Sequence, residues 1–184
     1  GLDYGISNTS GKTSLKEVQS ILKLATENGV DVLDTANFYG DSESAIGSCL
    51  HEQNRFRIIT KTPVLKENRY SSDDGIIIKK AFYESLKRLK LSSVAGLLIQ
   101  DAYNVLAEGG EFLYEGMLEL KYKGLVEKIG FSVYNGEQID KLLDLYDFEL
   151  IQVPVNVLDQ RLIKGGELKK LKNKDIEIHA RSIF

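Results

Sequence analysis

The sequence has one cysteine, two prolines and no tryptophan, and it lacks both a long apolar run and a block of like charges. A single cysteine, Cys49, excludes a disulfide within the chain. Because we find no run of about 18 apolar residues and no secretory leader, we expect a cytoplasmic protein that does not enter a membrane. The net charge of −3, with no Lys/Arg block of about five or more, argues against nucleic acid as a partner.

The sequence does contain a regular alternation of short apolar runs with longer stretches of helical spacing. The runs predict six strands, over residues 30–37, 56–62, 94–101, 126–133, 149–156 and 176–183. The helical stretches between them are preceded by a first helix over residues 14–29, with a capping box at Ser14 and Glu17 and a C-terminal Gly29. Cys49 falls in the second helix and is expected to be a small core residue. This alternation is typical of a parallel α/β fold, and with no Pro- or Ser-rich linker we predict one domain over residues 1–184.

Two architectures fit the alternation, an open doubly wound sheet and a TIM (β/α)8 barrel. A doubly wound sheet collects its ligand at one switch point, commonly after a glycine-rich first turn, and no G-x-G-x-x-G turn follows a strand here. A barrel instead places polar residues at the C-terminal ends of many strands. The predicted strands end in this way, and the distribution favours the barrel: Asp34, Lys61, Gln100, Ser132, Gln152 with Asn156, and Arg181.

Three of these polar positions form a candidate catalytic group. Asp34 and Lys61 end successive parallel strands, which lie about 4.8 Å apart, so the two side chains can form an ion pair. Tyr39 follows Asp34 in a loop that contains Gly40. Because an unperturbed phenol has a pKa of about 10, a tyrosine that acts as a general acid near neutral pH needs a neighbouring cation, which Lys61 can provide.

The segment LDTANFYGDSESAIG, residues 33–47, resembles the first signature of the aldo-keto reductases, which are nicotinamide-dependent enzymes on a (β/α)8 barrel. The resemblance implies that Asp34, Tyr39 and Lys61 are catalytic. The segments KGLVEKIGFSVYN and IQVPVNVLDQRL resemble two further family segments, and they imply that Ser132 and Gln152 contact the nicotinamide carboxamide. Asn156 matches the second polar position of the latter segment. Residues 1–14, LDQRL and HARSIF look most like a bacterial branch found near surface-polysaccharide genes.

The sequence departs from the family pattern at two site positions. The family usually has a histidine at the end of the fourth barrel strand, where this chain has Gln100, which can donate a hydrogen bond but cannot carry a proton. The family's nicotinamide commonly stacks on an aromatic residue where this chain has Arg181, whose guanidinium plane is a candidate cofactor contact. We expect both histidines, His51 and His179, to be structural. No metal site is predicted.

The chain is also shorter than the family fold, because a complete barrel takes about 250 residues. The matched segments correspond to strands two to seven, and an open sheet of six strands would leave two unpaired edges. We therefore expect an incomplete barrel that is a fragment of a longer protein, or two chains that complete each other. A flattened doubly wound sheet is a third option.

Three functions are compatible with these residues. The first is reduction of an aldehyde or ketone by hydride from NADPH, with Tyr39 as proton donor and a small carbonyl compound as substrate. The preference for NADP over NAD comes from the resemblance alone, and the sequence indicates neither the substrate nor the oligomeric state. The second is a catalytically weak or inactive homologue that binds nucleotide or a protein partner, suggested by Gln100. The third is a lyase or isomerase with Lys61 as a Schiff base, against which the Asp/Tyr spacing argues.

Overall fold

A computed structural model describes residues 11–50 and 56–183 of the chain. Six strands alternate with helices: β1 Val32–Asp34, β2 Arg57–Lys61, β3 Val94–Ile99, β4 Val126–Ser132, β5 Leu150–Pro154 and β6 Glu177–Arg181. The helices are α1 Leu15–Glu27, α2 Ser42–Cys49, α3 Ser72–Leu89, α4 Ala102–Leu106, α5 Gly110–Tyr122, α6 Gly136–Leu145, α7 Arg161–Lys164 and α8 Glu167–Asn173. All six predicted strands are present, with shorter bounds.

The strands form one parallel sheet in the sequential order β1-β2-β3-β4-β5-β6. A doubly wound sheet reverses its strand order at a switch point, so the sequential order rules out that alternative. The order is that of a (β/α)8 barrel, and the fold is an incomplete barrel of this type. Within the described residues, β1 pairs only with β2 and β6 only with β5.

Two pairs of side chains that are hydrogen-bonded across the concave face show that the sheet is curled. In a flat sheet, β1 and β5 would lie about 19 Å apart, which is four strand spacings of about 4.8 Å. Nevertheless, Gln152 on β5 donates directly to Asp34 on β1 over 2.9 Å. Arg57 on β2 likewise donates to both carboxylate oxygens of Glu177 on β6 at 3.0 Å. The six strands therefore form a curled half-barrel with these side chains in its interior.

The main apolar core lies between the convex face of the sheet and the helices, and a small cluster of Ile59, Leu98 and Leu150 fills the concave face. Gly130 allows the closest approach of neighbouring strands, because a Cβ atom there would overlap the carbonyl oxygen of Leu150. Cys49 is buried at 1% exposure, as predicted.

Helix ends follow the local capping chemistry. The predicted capping box of α1 is present, with Ser14 and Glu17 bonded to each other, and Gly29 after the helix has a φ of +76°. α3 begins at Ser72, where the Ser71 N–H donates to the Asp74 side chain over 2.9 Å and caps the helix. α4 and α7 were not predicted, since five and four residues are too few to show a helical period.

Candidate functional site

The centre of the candidate site is an ion pair at the C-terminal ends of β1 and β2. Lys61 Nζ lies 2.7 and 2.6 Å from the two carboxylate oxygens of Asp34, so the pair expected from the strand ends is present. Lys61 also donates to the backbone oxygen of Thr35 over 2.9 Å. The Lys61 side chain is only 1% exposed, whereas that of Asp34 is 36% exposed. The ammonium is thus buried beneath a carboxylate that still faces the mouth of the half-barrel.

Two opposing influences act on the charge of Lys61. Burial lowers the pKa of the Lys61 ammonium, and the neighbouring Asp34 carboxylate raises it. Burial is the larger effect, and the positive charge of Arg181 adds to it, so the pKa of Lys61 lies below its ordinary value. Opposite charge and burial are the two environmental effects that most often set the charge of a catalytic lysine.

Tyr39 lies beside this pair, in the loop between β1 and α2. Lys61 Nζ is 5.3 Å from the centroid of the Tyr39 ring, within the range of a cation–π contact. The ring is half-buried, and Phe38 packs edge-on against it at a centroid distance of 4.8 Å. Gly40 has a φ of +57°, a left-handed conformation that favours glycine and turns the chain into α2. The structure therefore brings Asp34, Lys61 and Tyr39 together.

A buried polar network, which the sequence did not predict, lies at the start of α2, directly after this loop. Glu43 is 1% exposed, and its carboxylate accepts from Thr60 over 2.6 Å and from Arg88 over 2.8 Å. Thr60 directly precedes Lys61, so the network connects the start of α2 to the strand that carries the lysine. No local pattern in the sequence marks Glu43 as buried, because its charged partner Arg88 is distant in sequence.

Ser132 ends β4, and Gln152 lies in the middle of β5, in register with Ser132. Both are buried, at 2% and 4% exposure. The Gln152 amide donates to Asp34, a contact that the sequence did not suggest. Ser132 and Gln152 therefore lie on the same mouth as Asp34, although β5 does not end at Gln152 and continues to Pro154.

Gln100 follows β3, and its backbone N–H donates to the Thr62 hydroxyl over 3.2 Å. Leu98, two residues earlier, packs on the concave face, which places Gln100 on the same side of the strand. The side-chain oxygen of Gln100 is buried and has no hydrogen-bond partner among the described residues.

The remaining two predicted residues have contacts of their own. Arg181, at the end of β6, donates to the Val133 backbone oxygen over 3.0 Å and covers the ring of Tyr134 at 4.5 Å. Asn156 binds backbone groups only: its amide donates to the oxygen of Ser182 and its oxygen accepts from Leu158 and Asp159. Asn156 thus fixes the loop after β5, whereas Arg181 borders the mouth.

The amino-terminal half of the concave face carries a second charged group, centred on Glu177. The Glu177 carboxylate accepts from Arg57, from Lys128 over 2.6 Å and from the His179 ring over 2.8 Å. Burial raises the pKa of Glu177, but these hydrogen bonds outweigh it and bring the pKa to about 2. His179 is bound within this structural group, and His51 lies outside the described residues.

Two cavities lie away from the ion pair. One, of about 390 Å³, is lined by the starts of β2, β3 and β4, including Arg57 and Val94. The other, of about 430 Å³, lies between α4 and α6 and is lined by Tyr103 and Gln138. Neither is lined by Asp34, Tyr39 or Lys61. We place the candidate site at the mouth because the ion pair and the phenol lie there.

Two further searches covered the described part of the chain. Residues 11–50 and 56–183 contain no group of three or more His, Cys, Asp or Glu side chains arranged to hold a metal ion. Within the same ranges, no helix is both long enough and apolar enough to cross a membrane.

Comparison with solved structures gives the same fold. An aldo-keto reductase from Pseudomonas aeruginosa superposes with a TM-score of 0.77 at 24% identity, over 98% of this chain and 68% of that one. One from Bacillus halodurans, in its holo form, gives 0.76 at 20% identity, over 92% and 58%. A Bombyx mori aldo-keto reductase in complex with NADP gives 0.68 at 22% identity, over 98% and 61%.

Sequence comparison extends the likeness to a plant enzyme and to a family. The chain is 28% identical to the chloroplastic pyridoxal reductase of Arabidopsis thaliana over an alignment of 142 residues, and the match covers 70% of this chain. The match spans 38% of the length of that protein. The sequence model of the Aldo/keto reductase family matches residues 3–184. Taken with the sequential parallel half-barrel, this match shows that the chain belongs to the aldo/keto reductase family.

Proposed function

We propose that this protein reduces an aldehyde or ketone with hydride from NADPH, and that Tyr39 donates the proton to the carbonyl oxygen. The observation that carries the proposal is the contact of Tyr39 with Lys61, whose ammonium is buried and paired with Asp34. A carbonyl that accepts hydride develops negative charge on its oxygen and needs a proton there. A phenol beside a fixed cation is suited to supply it.

Each member of the group has a distinct task in this proposal. Tyr39 binds the carbonyl oxygen through its hydroxyl and transfers the proton as charge develops. Lys61 stabilises the phenolate that remains, because its positive charge lies next to the ring. Asp34 orients Lys61 and balances its charge through two short hydrogen bonds. Since Lys61 already has three acceptors within 2.9 Å, the arrangement favours a fixed cation over a Schiff-base nucleophile.

Gln100 is the proposed second donor to the carbonyl oxygen. The Gln100 amide does not ionise, so its N–H polarises the carbonyl at any pH. It cannot give up a proton and therefore cannot replace Tyr39 as an acid. The side-chain oxygen of Gln100 has no partner among the described residues, so none of them holds that oxygen by a hydrogen bond that a substrate would have to break.

The mouth fits a nicotinamide group by its chemistry. A carboxamide needs both a donor and an acceptor, and the Ser132 hydroxyl and the Gln152 amide offer both from adjacent, register-matched positions. Arg181 presents a guanidinium group from β6, the strand next to β5. Asn156 supports the loop that follows β5. When bound, the cofactor supplies the hydride. We propose NADP, and NAD remains an alternative since none of these residues is assigned to a 2′-phosphate.

The experiment is a pair of measurements on the intact protein. Fluorescence titration measures the binding of NADPH and NADH, and loss of NADPH absorbance measures turnover with a panel of aldehydes, ketones and sugar carbonyls. The panel includes pyridoxal, because a relative is named as a pyridoxal reductase. Binding with turnover of at least one carbonyl supports the proposal. Binding with no consumption of NADPH across the panel would sink it.

The second candidate function is a binding protein that has lost turnover. The specific observation in its favour is Gln100, which cannot carry a proton where the family usually has a histidine. The same two measurements separate the candidates, because this function predicts cofactor binding without consumption. We also propose a single domain over residues 1–184, a cytoplasmic location and no nucleic-acid partner.

A further inference from the structure

Gln152 makes a contact that cofactor binding does not require. Its side-chain nitrogen donates to Asp34 Oδ1 over 2.9 Å, and the residue is 4% exposed. Asp34 Oδ1 also accepts from Lys61 over 2.7 Å. One carboxylate oxygen therefore has two donors, one from β2 and one from the far side of the half-barrel on β5.

We propose that Gln152 is a positioning residue, which holds the Asp34 carboxylate against the Lys61 ammonium and connects the cofactor side of the mouth to the catalytic pair. The inference rests on the proposed function, since it assigns a further task to a residue of the same site. It adds a role in the chemistry to a residue for which the family resemblance implied cofactor contact alone.

The need for such an anchor follows from the exposure of Asp34. Its side chain is 36% exposed and it ends a strand of three residues, which pairs on one side only among the described strands. A carboxylate in that position can rotate toward water. Lys61, with 1% of its side chain exposed, cannot follow it. A second donor on the opposite side keeps the carboxylate over the ammonium.

Gln152 is well placed to be that donor. It lies on β5, which has a strand neighbour on both sides, β4 and β6. A primary amide has two N–H donors and one acceptor oxygen, and the bond to Asp34 uses one donor. The other groups remain for the carboxamide of a cofactor, so both contacts can exist together. A ligand that binds Gln152 then also fixes Asp34.

The test measures the charge of Lys61 directly. Lysine labelled with ¹³C at Cε is followed by NMR through a pH titration, and the Lys61 resonance is assigned by its absence from Lys61→Met. The groups whose charges act on Lys61 are Asp34 and Arg181. Gln152→Glu adds a carboxylate of the same shape next to Asp34, and Gln152→Leu removes the hydrogen bond. Gln19→Glu, exposed on α1, is the control for added charge.

We expect Gln152→Glu to raise the titration midpoint of Lys61, because a second carboxylate favours the ammonium. Gln152→Leu lowers it, since Asp34 turns toward water, and kcat falls about tenfold with little change in the KM of the carbonyl substrate. Gln19→Glu leaves the midpoint unchanged. If Gln152→Leu does not fold, Gln152→Ala takes its place, because alanine also removes the donor and adds no charge.

The contrary result is a Lys61 midpoint that is unchanged in the folded variant without the donor, Gln152→Leu or Gln152→Ala, with only the affinity for cofactor reduced. That outcome overturns the positioning role and leaves the proposed function intact. Conversely, shifted midpoints in a protein that reduces no carbonyl would support the positioning role and refute the proposed function. The two failures are therefore distinguishable.

Discussion

The side chain of Gln152, on β5, donates a hydrogen bond to Asp34, at the end of β1, across 2.9 Å and four strand spacings of the sheet. The contact exists because the sheet curls, and it brings the two ends of the proposed site together. The two members of the ion pair also differ in their surroundings. Asp34 has hydrogen-bond donors on both sides of the mouth, from β2 and from β5, whereas the Lys61 side chain is buried.

The unequal burial of Asp34 and Lys61 predicts unequal effects of removing them. Asp34→Ala leaves the ammonium of Lys61 buried without its carboxylate, and we expect the free energy of unfolding to fall by about 1–3 kcal/mol. Lys61→Met leaves a carboxylate that is 36% exposed and still bound by Gln152, so stability changes less. Urea unfolding of both variants measures the difference, and both should lose turnover. Equal destabilisation would contradict the burial argument.

The carboxylate of Glu177 predicts a loss of stability in acid. Its pKa is about 2 in the folded protein against an ordinary value of 4.5, so folding favours the ionised form. The stabilising effect is complete above pH 4.5 and is lost as the pH falls toward 2. Because the carboxylate is partly exposed, solvent screening reduces the size of this effect to about 1–2 kcal/mol.

Urea unfolding between pH 6 and pH 2.5, on the wild-type protein and on Glu177→Gln, measures this effect. Stability of the wild-type protein should fall more steeply with acid than that of the variant, because other carboxylates contribute equally to both. Parallel curves would show that Glu177 does not titrate in the range that its hydrogen bonds imply.

The close approach of β4 and β5 at Gly130 leaves no room for a side chain at that position. Gly130→Ala places a Cβ atom against the Leu150 carbonyl oxygen of the adjacent strand, and backbone atoms on both strands must move. We expect a loss of about 3 kcal/mol or more in the free energy of unfolding. Gly136→Ala is the matched control, because its Cβ meets only the flexible end of the Glu167 side chain. Equal stability of the two variants would rule out a close approach at Gly130.

We expect that replacing Gln100 with histidine increases the turnover number. Gln100→His places a ring that can both donate a hydrogen bond and carry a proton beside the proposed carbonyl position, so kcat should rise by about 10- to 100-fold. The gain should fade above the pKa of the new imidazole, whereas the wild-type protein lacks that dependence. Steady-state rates across pH test this. A variant with unchanged cofactor affinity and unchanged kcat would show that Gln100 does not face the substrate.

Much of the fold and part of the site follow from local patterns in the sequence. The alternation of apolar runs predicted all six strands, and the polar residues that end them predicted the Asp34–Lys61 pair. Strand periodicity carries no information on curvature, so the Gln152–Asp34 bond could not be predicted. Glu43 and Glu177 were missed for a related reason: charged residues are expected at the surface, and their burial depends on Arg88 and Arg57, which are distant in sequence.

The proposed function depends on the transfer of a proton from Tyr39 to a carbonyl oxygen. The most direct measurement is the turnover number of Tyr39→Phe at saturating NADPH, beside that of Tyr122→Phe, whose ring is 82% exposed on α5. We predict a loss of about 10²- to 10⁴-fold for Tyr39→Phe, with cofactor affinity unchanged, and no loss for Tyr122→Phe. A Tyr39→Phe protein that turns over at the wild-type rate would contradict the role of Tyr39 as proton donor.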